Sequence, residues 1–246
     1  MHAAHDSWPE PAELVRDSIG LSDFASWTDW SLARVGFRPS NCLALVDVCR
    51  DELMWPFEEE MARTWGRPFS VGALGAMVLA GRTGLAAALS HVPGEDRRQR
   101  FVVLAFPHIG IDADGVAGRV QRRGHTRAST ACGALAALRE QLLEGGPRPG
   151  APRPGGPDDI EQDYLRERVG GLVAPGPVPS LTALTDLARR AAVEDIARYI
   201  DLARGSEPVD VAYISGMVLH LADGQDRVSG VTAEVCIDDD TIPLPT

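Results

Sequence analysis

The residues best suited to chemistry lie far apart along the chain. Cys49 ends one apolar run, and His108 follows Pro107 at the end of another. Cys132 stands just before Gly133, where an Ala/Leu-rich stretch begins. A reactive zinc site takes three ligands from Cys, His and carboxylates and leaves a fourth position for water. Cys49, His108 and Cys132 form the natural trio, and thiolates with an imidazole suit zinc better than magnesium or calcium. Two of them sit at strand ends, where a sheet holds them rigidly. The third sits at a helix start, whose free N–H groups favour thiolate over thiol. Asp51, two residues after Cys49, can reach a metal-bound water or compete for the open position. A carboxylate in such a pocket needs an arginine fork to stay ionised and aimed. Arg50 is nearest in sequence, with Arg82 and Arg127 as further candidates from Gly-rich segments.

Each residue also has a plainer role. A cysteine ending a strand is commonly a small buried hydrophobe, His108 can cap a strand, and Arg50-Asp51-Glu52 can be a solvated turn. A thiol enzyme built on Cys132 with His108 or His125 is a second chemistry, since helix-start cysteines are activated. Other chemistries lack their motifs: there is no G-x-S-x-G elbow, no G-x-G-x-x-G after a strand, and no Gly-Lys-Ser/Thr phosphate loop. Cys42 and Cys236 fall in β runs and read as core thiols.

The elements that must position these residues are legible from apolar patterning. Residues 9–35 read as two short helices, the first opened by Pro9 and Pro11 and ended by Gly20, the second capped by Ser22-Asp23. Phe24, Trp27 and Trp30 at helical spacing predict a core stripe or a subunit contact. Residues 42–48 and 101–106 are nearly continuous apolar runs, which is the pattern of buried strands. They deliver Cys49 and His108 at their C-terminal ends, where open α/β sheets bind ligands. Helices are expected over 53–65, 131–144, 158–169 and 180–204, the last burying Leu184, Leu187, Ala191, Ile196 and Ile200. Residues 209–221 and 228–237 flank Asp223-Gly224-Gln225-Asp226, a hairpin signal. The Pro/Gly/Arg-rich stretch 145–157 reads as a loop, which need not divide two domains.

Composition sets the class. The chain has 246 residues, 44% of them hydrophobic and 24% charged, as in an ordinary globular protein. A net charge of −11 argues against nucleic acid or an anionic membrane surface as partner. The basic run 119–127 fits a small anion better than a polymer. No signal peptide is visible, and the longest apolar run falls far short of the ~20 residues a membrane span needs. The four cysteines therefore read as thiols or metal ligands, and the expected address is cytoplasmic.

The motifs carry a resemblance. Val-Asp-Val-Cys-Arg-Asp-Glu at 46–52, Phe-Pro-His-Ile-Gly-Ile-Asp at 106–112 and Cys-Gly-Ala-Leu at 132–135 resemble the limiting-CO2-inducible protein B/C family, which is β-carbonic-anhydrase-like and related to θ-class carbonic anhydrase domains. Gly-Arg-Pro-Phe-Ser-Val-Gly-Ala-Leu at 66–74, Thr-Gly-Leu at 83–85, Ser-His-Val-Pro at 90–93 and Ile-Ser-Gly-Met-Val-Leu-His at 214–220 extend the match from about residue 20 to 237. The resemblance implies an α/β fold, a mixed sheet with a parallel core and a late antiparallel pair flanked by helices, in a single domain over 1–246. It implies a homodimer with one zinc per subunit held by Cys49, His108 and Cys132, and an Asp–Arg pair beside it. Asp51 fits the carboxylate by its place in the cysteine motif. β-Carbonic anhydrases read Cys-x-Asp-x-Arg, and Leu53 stands here where that arginine would be, so Arg50 is the expected partner. The implied activity is that of a zinc lyase: reversible hydration of CO2 to bicarbonate by attack of zinc-bound hydroxide, with His91 or His125 able to relay the proton. The same fold without turnover, binding bicarbonate or a partner, is the alternative that the Leu53 departure raises.

Overall fold

The computed structural model describes residues 10–93, 98–145, 156–238 and 240–245. Most of the 145–157 loop and Pro9 lie outside the described residues. Pro11 opens α1 (Pro11–Arg16), and a two-residue strand β1 (Ile19–Gly20) leads into α2 (Leu21–Ala33). The N-cap of α2 is Gly20 rather than Ser22, and Gly20 is already held in the sheet by Arg227 of a late strand. Phe24 of α2 is fully buried and stacks on Trp27, whereas Trp30 is 59% exposed. The expected aromatic stripe is thus split between core and surface.

The first apolar run is β2 (Leu43–Val48), followed by a 3-10 turn and α3 (Trp55–Trp65). The Gly-rich stretch supplies β3 (Phe69–Ser70) and α4 (Gly81–Leu89). The second run is β4 (Gln99–Phe106), and Pro107 interrupts it before β5 (His108–Ile111). A small antiparallel pair, β6 (Arg119–Val120) and β7 (Ser129–Thr130), precedes α5 (Gly133–Leu143). Then come α6 (Ile160–Gly170) and the long α7 (Leu181–Arg204), capped by the Ser180 side chain on the Ala183 amide. The chain closes with β8 (Val209–Leu221), β9 (Asp226–Ile237) and β10 (Asp240–Pro243).

The strands form one mixed sheet in the order β1-β9-β8-β4-β2-β3, with β5 on β8 and β10 on β9. The core β8-β4-β2-β3 is parallel, and β8–β9 is the antiparallel hairpin. β8 is long because it serves two neighbours in turn: residues 209–215 pair β4 and 218–221 pair β5. Helices cover both faces, as buried parallel strands require. Ala44, Val46 and Val48 of β2 face a core shared with α2, α3 and α5, while Leu45 faces α4 and α7. The five α7 residues expected to be buried are all buried. No helix among the described residues is long and apolar enough to cross a membrane.

Phe106, the last residue before Pro107-His108, anchors the first of these cores. Its ring lies 5.1 Å from Phe24 and 4.9 Å from Phe57, centroid to centroid, and is fully buried. Phe106→Ala is expected to cost about 3–5 kcal/mol of stability, measured by urea unfolding, because the surrounding rings refill so large a void only in part.

Candidate metal centre

Parallel pairing of β2 with β4 sets Val48 opposite Phe106. Both strands then leave the same sheet edge, Cys49 at once and His108 after Pro107, which makes them neighbours although they are 59 positions apart. Cys132 is returned to that edge by backbone bonds around Gly110. Its N–H donates to Ala131 O (3.0 Å), its carbonyl accepts from the Gly118 N–H (2.8 Å), and the Ala131 N–H donates to Gly118 O (3.2 Å). A Cβ at Gly110 would lie 2.4 Å from the Arg119 carbonyl oxygen, so only glycine lets these strands approach. Cys132 is then the N-cap of α5.

The ligand atoms offered by Cys49, His108 and Cys132 lie within 4.8 Å of one another, the one such trio among the described residues. All three are buried, with exposures of 3%, 0% and 1%. The two Sγ atoms are 3.7 Å apart, and the Gly75 N–H donates to Cys49 Sγ at 3.3 Å. His108 Nε2 is buried and has no hydrogen-bond partner among the described residues. A buried polar atom left unpaired is costly, and here it faces two sulfurs, so the donor set fits a soft or borderline cation. The hydrogen bond from Cys132 draws the Cys49 thiol well below the ordinary range, and the Cys49 sulfur with burial holds Cys132 well above it.

Asp51 stands beside this trio, its Oδ2 3.9 Å from His108 Nε2. Its arginine is not the one expected. Arg50 is 60% exposed at the side chain and turns away to Glu161, at 2.8 Å. Arg82 and Arg127 are exposed and take no part. Arg122 supplies the fork: its Nη2 donates to Asp51 Oδ1 (3.0 Å) and Oδ2 (2.8 Å), its Nε to Glu52 (2.6 Å), and its Nη1 to the Thr130 carbonyl (2.9 Å) and to Ser129. Arg122 belongs to the basic segment 119–127, in the loop between β6 and β7, and several arginines there left the choice open to sequence reading. His125 shares that loop, whereas His91 lies against Phe69. Cys49, Arg50 and Asp51 also line a cavity of about 300 Å³ with Val48, Trp55 and Gly72, Glu52 and Glu58 lying at its wall.

Burial alone would raise the Asp51 carboxyl, but the Leu53 amide, His108 and Arg122 outweigh it and hold the group below its ordinary 3.8. A depressed carboxylate contributes stability that is present above the unfolded value and lost as pH falls through the folded one. The stability difference between wild type and Asp51→Asn is therefore expected to stay constant from neutral pH to about 5, and to shrink only below 3.8. Urea unfolding at stepped pH measures it.

A second pair stood in sequence motifs, but sequence reading gave it no role. His108 Nδ1 lies 2.9 Å from His220 Nε2, and His220 Nδ1 lies 2.7 Å from Asp226 Oδ1. His220 and Asp226 face each other across the β8–β9 hairpin. The hairpin signal at 223–226 was the clue to that pairing, since cross-strand partners next to a turn are close by construction.

Comparison with known proteins places this geometry. The family model described as limiting CO2-inducible proteins B/C beta carbonic anhydrases matches residues 18–235. The crystal structure of limiting CO2-inducible protein LCIB is 26% identical, covers 94% of this chain and 95% of its own, and superposes with a TM-score of 0.76. That of PtLCIB4, a homologue of LCIB, is 18% identical with coverages of 94% and 96% and a TM-score of 0.77, a likeness of fold. The comparison with curated proteins returned no match. With most of its length matched and the motif residues gathered at one sheet edge, the chain belongs to the limiting CO2-inducible protein B/C family of beta carbonic anhydrases.

Proposed function

We propose that the protein is a zinc-dependent carbonic anhydrase that hydrates CO2 reversibly to bicarbonate. The observation that carries this reading is the meeting of two buried thiols and an unpartnered imidazole nitrogen beside an arginine-clamped carboxylate. Cys49, His108 and Cys132 would hold the metal, which when bound supplies the Lewis acidity that makes hydroxide available near neutral pH. The remaining work falls to side chains. Asp51, as a carboxylate, can only accept a hydrogen bond, so at Oδ2 it takes the hydroxyl hydrogen of the nucleophile and leaves an oxygen lone pair to face the CO2 carbon. Arg122 helps keep Asp51 ionised and holds it through one guanidinium nitrogen, Nη2, which donates to both carboxylate oxygens. Val48 and Trp55 give the adjoining cavity an apolar wall for CO2. His125, on the Arg122 loop, and His91, against Phe69, are the candidates to pass the proton to buffer. The thiol-enzyme reading loses support, because Cys132 is buried and holds its proton.

Stopped-flow CO2 hydration on protein of measured zinc content tests the proposal. Zinc near one per chain with hydration well above the buffer rate is expected. Zinc without hydration would leave a non-catalytic zinc protein that binds bicarbonate or a partner, and zinc-free protein would remove the metal reading. A homodimer of single-domain subunits belongs to the same proposal, with exposed Trp30 on α2 as a contact, and sedimentation velocity measures it.

A further inference from the structure

Three strands bring a carboxylate and two imidazoles into line with the metal site. β8 lies between β5 and β9. His220 on β8 therefore meets His108 of β5 on one side and Asp226 of β9 on the other, at 2.9 Å and 2.7 Å. The imidazole rings are 5.1 Å apart and close to perpendicular, at 77°, so each nitrogen points at its partner in the ring plane. His108 and His220 are 0% and 2% exposed, and no solvent reaches them to offer substitute partners.

The direction of the hydrogen bonds in this line follows from its end. A carboxylate only accepts, so His220 Nδ1 must carry the hydrogen. In a neutral ring His220 Nε2 is then a lone pair, and it can only accept. His108 Nδ1 must therefore be the donor, and a neutral His108 has its other lone pair at Nε2. That is the nitrogen left unpartnered among the described residues and turned toward the Cys49 and Cys132 sulfurs. Without the line, a neutral imidazole is free to place its hydrogen on Nε2, where it cannot ligate.

We infer that Asp226 and His220 are positioning residues that fix His108 in the tautomer whose Nε2 can bind the metal. The inference rests on the zinc reading above for its purpose, though not for its geometry. Partners of this kind orient the ring and raise its basicity, and their loss weakens metal binding by about 10–100-fold.

Two measurements test it. In metal-free wild type, long-range 1H–15N correlation of the histidine rings is expected to find the His108 hydrogen on Nδ1. Finding it on Nε2 would overturn the inference, and this arm needs no variant to fold. In the second arm, zinc affinity is measured by competition with a chromogenic chelator. His220→Phe keeps a ring but removes both polar contacts, and about 10–100-fold weaker zinc binding is expected. His220→Gln, whose amide can accept from His108 and donate to Asp226, is expected to recover part of the loss. A merely structural role would lower the Tm of His220→Phe and leave its zinc affinity at the wild-type value, which would sink the proposal. Failure of wild type itself to bind zinc is a separate result: it defeats the metal reading, while the tautomer measurement still decides the geometry.

Discussion

Cys132→Ser is expected to strip the protein of zinc and of CO2 hydration together. The substitution changes little else. Serine fits the space of cysteine and is a better N-cap, so α5 keeps its start and the fold its Tm in the metal-free state. What disappears is a sulfur that can become a thiolate. The Cys49 sulfur and burial raise the Cys132 thiol, yet a thiol remains far more acidic than a hydroxyl. A serine hydroxyl, far less acidic, does not yield its proton to zinc at neutral pH. With Cys49 and His108 alone the site has two protein ligands where three are needed. Zinc, measured by atomic emission after dialysis, should fall from about one per chain to a small fraction. Hydration should fall to the buffer rate. A serine variant that kept both its zinc and its rate would remove Cys132 from the ligand set.

The second large effect separates two arginines. Arg122→Leu is expected to lower CO2 hydration by about 10²–10³-fold, with zinc content unchanged, because the charge that aims the developing oxyanion chemistry is lost while the ligands are not. Arg50→Ala is expected to stay within about threefold of wild type, since its exposed pair with Glu161 is of the weak surface kind. The comparison is informative because the two arginines reach different carboxylates, Arg50 that of Glu161 and Arg122 that of Asp51. Arg50 and Asp51 both line the cavity beside Cys49, but only Asp51 is held by Arg122, whereas the Arg50 guanidinium pairs with Glu161. Equal losses from both variants would place the arginine role elsewhere than the Asp51 clamp.

How much of this could be read in advance depends on which interaction placed each residue. Cys49 and His108 were legible because each follows a buried apolar run, and two parallel strands in register must release their next residues at one edge. Cys132 was legible as a helix start, but its return to that edge depends on Gly110, Gly118 and Ala131 bonding across a loop, which no local pattern announces. Arg122 was hidden among Arg119, Arg123 and Arg127. All four have the same chemistry, and only the loop conformation decides which one turns inward. β5 was hidden because Pro107 ends the apolar run, although the length of β8 implies a further partner beyond β4. His220 had been singled out within its motif, but its role needed the hairpin register that sets Asp226 opposite it. Gly20 shows the reverse error: Ser22-Asp23 has the right chemistry for a cap, yet strand pairing to Arg227 had already fixed where the helix begins.

The loop between β6 and β7 gives the site an asymmetry. Cys49 directly follows β2, His108 opens β5 and Cys132 caps α5, so elements of the main fold set all three. Arg122 hangs from an otherwise exposed loop and reaches Asp51 through its side chain alone. Under the proposed function, holding the ion and driving turnover therefore depend on separate parts of the fold. On the carbonic anhydrase proposal, change confined to residues 121–128 is expected to abolish hydration while the three candidate ligands stay in place.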